Sequence, residues 1–203
     1  DAPKAAVSAN VTAQQVIDNY AAALGGKSKL EAVKTVKTLS TIKVMGMEME
    51  ATTLEMAPNK SKAVQKIMGQ EMVQVFDGEK GYMMQAGQRM DLPAPAIEEA
   101  KKKRLFEVLS YNPADFKTVE KVTEEGKELY LLAGAGKKLY FDTKTNLLVK
   151  STSDKGDMVI LDYMEVDGIK FPKNIKLAMM GQNMEMTNNQ VIVNKEVSAE
   201  DFK

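Results

Sequence analysis

Fifteen methionines are the most chemically distinctive side chains of this 203-residue sequence, and they are grouped rather than scattered. Met45-Gly46-Met47-Glu48-Met49, Met68-Gly69-Gln70-Glu71-Met72 and Met180-Gly181-Gln182-Asn183-Met184-Glu185-Met186 repeat one pattern, a Met-Gly turn flanked by strand methionines. Met83, Met84 and Met90 flank a fourth turn. A thioether is no acid, base or strong nucleophile; it offers soft, unbranched apolar surface that adapts to what it touches. On a strand, Met47 and Met49 share one face while Glu48 and Glu50 take the other, and Met184 and Met186 stand likewise against Glu185. Two readings stay open. The methionines fill an irregular β core short of aromatics, or they wall a cavity that repacks around ligands of variable shape such as acyl chains. The second reading makes Met45, Met47, Met49, Met72, Met84, Met184 and Met186 the candidate cavity wall.

Other chemistry is excluded or weak. The sequence has no Cys and no His. Thiol nucleophiles, Ser-His-Asp triads, zinc-finger sites, haem-type His ligands and HExxH sites therefore cannot be built from this chain. Asp142-Thr143-Lys144-Thr145-Asn146 lacks the ligand spacing and closing Glu of a calcium loop. Gly134-Ala135-Gly136 lies between strands and is too short to cradle a phosphate. Lys+Arg and Asp+Glu balance at 28 each, so no net field points to nucleic acid. The basic run Lys101-Lys102-Lys103-Arg104 reads as a solvated helix face or as a dock for anionic headgroups or an acidic partner. No catalytic residues, metal site or cofactor are expected, and binding is favoured over catalysis.

The elements that must position these residues change period along the chain. Thr12-Ala13-Gln14-Gln15 is a capping box that opens a helix with Val16, Ile17, Tyr20 and Leu24 on one face. Gly25-Gly26 ends it, and Ser28-Lys29-Leu30-Glu31 predicts a second capping box and a short helix to Val33. From Thr35 the period is two. Strands are predicted over 35–44, 47–57, 60–68, 71–76, 80–84 and 88–92, separated by turn chemistry such as Pro58-Asn59 and Asp77-Gly78. Residues 93–110 predict a helix with Ile97, Leu105, Val108 and Leu109 on its apolar side, stopped by Tyr111-Asn112-Pro113. Strands resume over 117–123, 127–133, 137–142, 147–153, 158–166, 169–180 and 182–193. Asp167-Gly168 is the strongest hairpin signal among them. Consecutive hairpins with a helix inserted mid-sheet make a single α+β domain over residues 11–203. An antiparallel sheet of this many strands is expected to curl.

Residues 1–10 are small and polar and read as a flexible tail, left after signal cleavage or linking to a preceding domain. The chain contains no apolar run long enough to span a membrane.

Three stretches, VIDNYAAALGGKSKLEAVKTVKT, VFDGEKGYMMQAGQRMDLP and LDYMEVDGIKFPKNIKLAMMGQNMEM, resemble the LolA/LolB-like superfamily of lipoprotein-sorting and lipid-handling proteins. The likeness is greatest to the outer-membrane lipoprotein-sorting group of Bacteroidota and runs from about Gln15 to Phe202. It implies an incomplete β-barrel closed by helices acting as a lid over an apolar cavity that takes acyl chains without covalent chemistry. Ile97, Leu105, Val108 and Leu109 would be the lid's inner face. It further implies a periplasmic or outer-membrane-associated monomer whose partners are lipid or lipoprotein acyl chains and envelope proteins. The carrier's lid-holding cavity Arg has no counterpart in a recognisable motif, since Arg89 and Arg104 are the only arginines. Similar domains also follow insulinase-type zinc peptidases, and the alternative expectation is an accessory domain with a filled core.

Overall fold

A computed structural model describes residues 4–203. Helix α1 (Ala13–Leu24) begins as the sequence predicts: Thr12 accepts from the Gln15 amide while the Gln15 side chain accepts from the Thr12 amide. It ends where Gly25 and Gly26 turn their amides back to Ala22 and Ala21. Gly25 sits at φ 140°, and a Cβ there would lie 2.6 Å from the Gly168 carbonyl oxygen, so only glycine lets this helix end meet the sheet. Helix α2 (Lys27–Ala32) starts one residue before the predicted box. Its N-cap is Gly26 without a side-chain hydrogen bond, because the two-glycine exit already sets the chain into the next turn.

The strands are β1 (Lys4–Ser8), β2 (Thr35–Val44), β3 (Met47–Met56), β4 (Lys60–Ile67), β5 (Gln70–Phe76), β6 (Gly81–Gln85) and β7 (Gln88–Asp91), then β8 (Phe116–Glu124), β9 (Lys127–Gly134), β10 (Lys137–Asp142), β11 (Leu148–Ser153), β12 (Gly156–Val166), β13 (Ile169–Met179) and β14 (Gln182–Val193). All fourteen form one antiparallel sheet in the order β1-β8-β9-β10-β11-β12-β13-β14-β2-β3-β4-β5-β6-β7. β14 pairs with β2 across the middle, and β1 and β7 are left as edges, so the curved sheet is an incomplete barrel. Lys4–Ser8, expected within a flexible tail, instead pairs with β8; residues 1–3 lie outside the described residues.

The predicted helix over 93–110 is divided. Helix α3 covers Ala94–Lys102, the chain then runs without helix to Phe106, and Glu107–Ser110 is a 3₁₀ turn. The break follows from tertiary packing, since Phe106 and Val108 are drawn into the core whereas α3 has no buried residue to hold a longer helix down.

The core is lopsided. Leu132, Leu139, Phe141 and Ile169 are at most 1% exposed and pack with Val16, Ile17, Tyr20 and Leu24 of α1. The Tyr20 ring meets Phe141 edge-on at 5.2 Å, and Phe106 tilts onto Phe171 at 5.6 Å. By contrast β3 and β4 contain no buried residue at all. One end of the sheet is therefore plugged by helices; Val75 and Phe76 of β5 and Phe202 near the C-terminus, each at most 2% exposed, pack a second point, and β3 and β4 between the two are covered only in part.

Candidate functional site

The inner face can be read from register. Val36, Thr38, Ser40, Ile42 and Val44 of β2 pair with Glu55, Thr53, Ala51, Met49 and Met47 of β3, and Val36 belongs to the core. Directly paired residues share a face, so the whole series points inward. On the other side Val193, Val191, Asn188, Met186 and Met184 of β14 continue the same rows. A buried polar link ties the rows together: Ser40 Oγ donates to Asn188 Oδ1 at 2.7 Å, and Asn188 Nδ2 donates to the Pro172 carbonyl at 2.7 Å.

At the plugged end a cavity of about 260 Å³ remains between this face and the segment after α3. Val36 and Thr38 of β2, Met158 and Ile160 of β12, and Phe171 of β13 form one side. Tyr20 and Leu24 of α1 with Leu105, Phe106 and Val108 close the other. The expected lid residues thus divide. Leu105 and Val108 line the cavity, Leu109 packs against the core from outside it, and Ile97 reaches a different cleft.

That second cleft, about 530 Å³, lies at the β5–β7 edge. Charged Asp77, Lys80, Arg89 and Asp91 contribute to its walls, and the Arg89 guanidinium sits 3.9 Å from the centre of the Tyr82 ring. It is larger, more of its lining residues are charged, and it lies away from the helix-covered concave face.

The methionine wall is placed differently from the expectation. Met47, Met49, Met184 and Met186 do share the inner face, and Met72 joins them through Ala51 and Gln65. None lines the 260 Å³ cavity; they pave the open trough beyond it. Met84 stands on the opposite, outer face, because Met72 pairs with Gln85 and the inward position on β6 falls to Met83. Met45 belongs to a turn at φ 51° and is 77% exposed. Met68 and Met180 occupy equivalent hairpin tips at 90% and 97% exposure.

Glu55 is the residue that the sequence reading missed. It lies on the inner face opposite Val36 and Ser61, half-buried, and its side chain lines the cavity. Among the described residues no hydrogen bond or ion pair reaches its carboxylate, and burial pushes it up to about 7 against the opposing pull of the Lys103 ammonium. The alternation itself held the signal: Met47, Met49, Ala51 and Thr53 occupy the inward parity, and a glutamate continues it. Burial likewise raises the Tyr20 phenol to about 12, and that of Tyr163, whose hydroxyl donates to the Leu148 carbonyl at 2.8 Å, rises further. Both stay neutral and structural.

The basic run is exposed. Lys101 pairs with Glu98 at 3.1 Å, and Arg104 turns onto the Lys101 and Lys103 carbonyls. The run leads directly into Leu105 and the cavity's cover. Among the described residues no helix is long and apolar enough to cross a membrane.

No family model matches the chain, and no curated protein is similar to it in sequence. Solved structures are similar in fold. A domain described as an outer membrane lipoprotein-sorting protein, from Vibrio parahaemolyticus, superposes with TM-score 0.59 at 8% identity, over 94% of this chain and 97% of that one. A DUF1329 family protein from Desulfovibrio piger gives the same figures. A LolA superfamily protein from Nitrosomonas europaea gives TM-score 0.55 at 11% identity, over 95% and 98%.

Proposed function

We propose that this chain, whose fold is that of the LolA/LolB-like superfamily, is a non-catalytic envelope protein that holds an acyl chain in its interior cavity. The observation that carries the reading is the 260 Å³ void left between the concave sheet and the residues after α3, whose β2 wall runs on along the same face, past Ser40, Ala51 and Asn188, to Ile42, Met49 and Met186. The tail of an amphiphile enters the void, and the rest of it lies along the rows of Ile42, Met49 and Met186. From Val36 to Val44 the inner face runs roughly 26 Å at the usual strand rise. Burying alkyl surface contributes about 0.8 kcal/mol per methylene before association and ordering costs are subtracted.

The cover in this reading is mobile in α3, which buries nothing, and anchored at its far end by Phe106 and Val108, which are buried in the core. Lys101, Lys102, Lys103 and Arg104 stand beside the entrance, where they suit anionic headgroups of a membrane surface. A periplasmic or outer-membrane-associated location accords with a cargo of this kind.

The test is binding of N-phenyl-1-naphthylamine, an uncharged apolar fluorophore. The wild type should enhance its fluorescence and release it to dodecanol. Thr38→Phe, which fills the void from an inward and half-buried position, should weaken binding at least tenfold while the circular dichroism spectrum is retained. Equal binding by a folded Thr38→Phe protein places the site elsewhere.

A further inference from the structure

We infer that Glu55 sets the chemical class of the ligand's polar end, selecting amphiphiles that carry a protonated amine and rejecting alkyl carboxylates. The inference rests on the cavity reading above and adds the head to the tail. Glu55 is the carboxylate that projects from β3 into a cavity otherwise walled on that side by Val36, Thr38 and Val191. Its neighbours along the pairing are Val36 and Ser61, and neither gives it a hydrogen bond.

Glu107 and Lys170 also line the cavity, each held by a neighbour other than Glu55, and Lys170 keeps its charge. Glu107, on the 3₁₀ turn, lies 3.5 Å from Lys137 Nζ, and Lys170 of β13 donates to the Ala23 carbonyl at the end of α1. Lys103, from the chain after α3, acts on Glu55 through its field without forming an ion pair, and it is exposed and free to swing away. Tyr20, from α1, faces the same space as a neutral phenol. A half-buried carboxylate without a bonded partner leaves a vacancy for one cation of ammonium size, and an ammonium joined to an alkyl chain fills both the charge site and the void. A second carboxylate brought to the same place meets like-charge repulsion in a partly desolvated setting, which is how a site rejects a near-isostere.

Ionisation provides an independent handle. Burial holds Glu55 near 7, so it is charged at pH 8 and largely neutral at pH 5.5. Selection for the amine is expected at the higher pH and should fade at the lower.

Displacement of N-phenyl-1-naphthylamine by dodecylamine and by dodecanoate, both below their micelle concentrations, reads this directly. At pH 8 the wild type should favour dodecylamine at least tenfold, a difference of about 1.4 kcal/mol. Glu55→Gln should bring the ratio to within about twofold of unity. The wild-type ratio should also shrink at pH 5.5, a measurement that needs no variant. Probe binding with equal displacement by both chains in the wild type at pH 8 overturns the inference while leaving the cavity intact. So does a preference that survives in Glu55→Gln. Failure of the wild type to bind the probe at all overturns the cavity reading, and this inference with it.

Discussion

A carboxylate held against apolar side chains prefers its proton, and Glu55 carries that preference into the stability of the protein. Its folded value near 7 lies above the ordinary 4.5. Between those two pH values the folded chain keeps a proton that the unfolded chain has lost. Stability contributed by this group is therefore present below about 4.5, falls as pH rises toward 7, and is flat above. Glu55→Gln removes the cost of ionisation. We expect a higher melting temperature at pH 8, corresponding to about 1 kcal/mol after allowance for partial solvent screening, and no gain at pH 4.5. Equal gains at both pH values would show that the carboxylate is not the source. The methionines mark the limit of residue-scale reading. Period two tells that Met47 and Met49 share a face, and register agrees. It does not choose between adjacent Met83 and Met84, because that parity is fixed by pairing with β5 and not by local sequence.

At the scale of elements, strand ends were legible because they are punctuated by turn chemistry. The Met-Gly and Ala-Gly hairpins and Asp167-Gly168 place both turn residues at positive φ, the geometry that suits the twist of two-residue connections. The break after α3 was not legible, since Leu105 and Val108 read as a continuation of the same apolar stripe. What divides them is tertiary: Val108 is pulled into the core at 5% exposure, whereas Ile97 is half-exposed. The two residues therefore separate cover from anchor. Val108→Asp should cost several kcal/mol, by burying an unpaired charge, and shift the urea midpoint markedly. Ile97→Asp should stay within about 0.5 kcal/mol of the wild type. A large loss from Ile97→Asp would mean that α3 is structural and not a mobile cover.

For the molecule as a whole, topology makes the two arms unequal. β8–β14 share a plugged core with α1, whereas β3–β7 have only α3 and the C-terminal residues beside them and end at an edge strand with all four residues exposed. Within the sheet the arms join where β14 pairs with β2, reinforced by the Ser40–Asn188–Pro172 link, and the C-terminal residues add a tie where Tyr82 donates to the Lys203 carbonyl. Local opening is governed by how much burial an element contributes. In native-state hydrogen exchange the amides of β9, β10 and β13 should be slowest, and those of β6 and β7 fastest. Uniform protection across the sheet would deny the asymmetry. The curled antiparallel sheet was readable from the run of hairpins. The location of the void was not, because it depends on which stretch of an otherwise uniform inner face the helices happen to cover.

The three outermost hairpin tips bear on how the protein ages in an oxidant. Met45, Met68 and Met180 are the most exposed methionines of the described residues, while Met158 is half-buried against the cavity wall. Peroxide converts accessible thioethers to sulfoxides first, turning greasy tips polar while the interior is spared. The rim of the trough is thus also its sacrificial margin, and a reductase that restores sulfoxides would renew it without unfolding the chain.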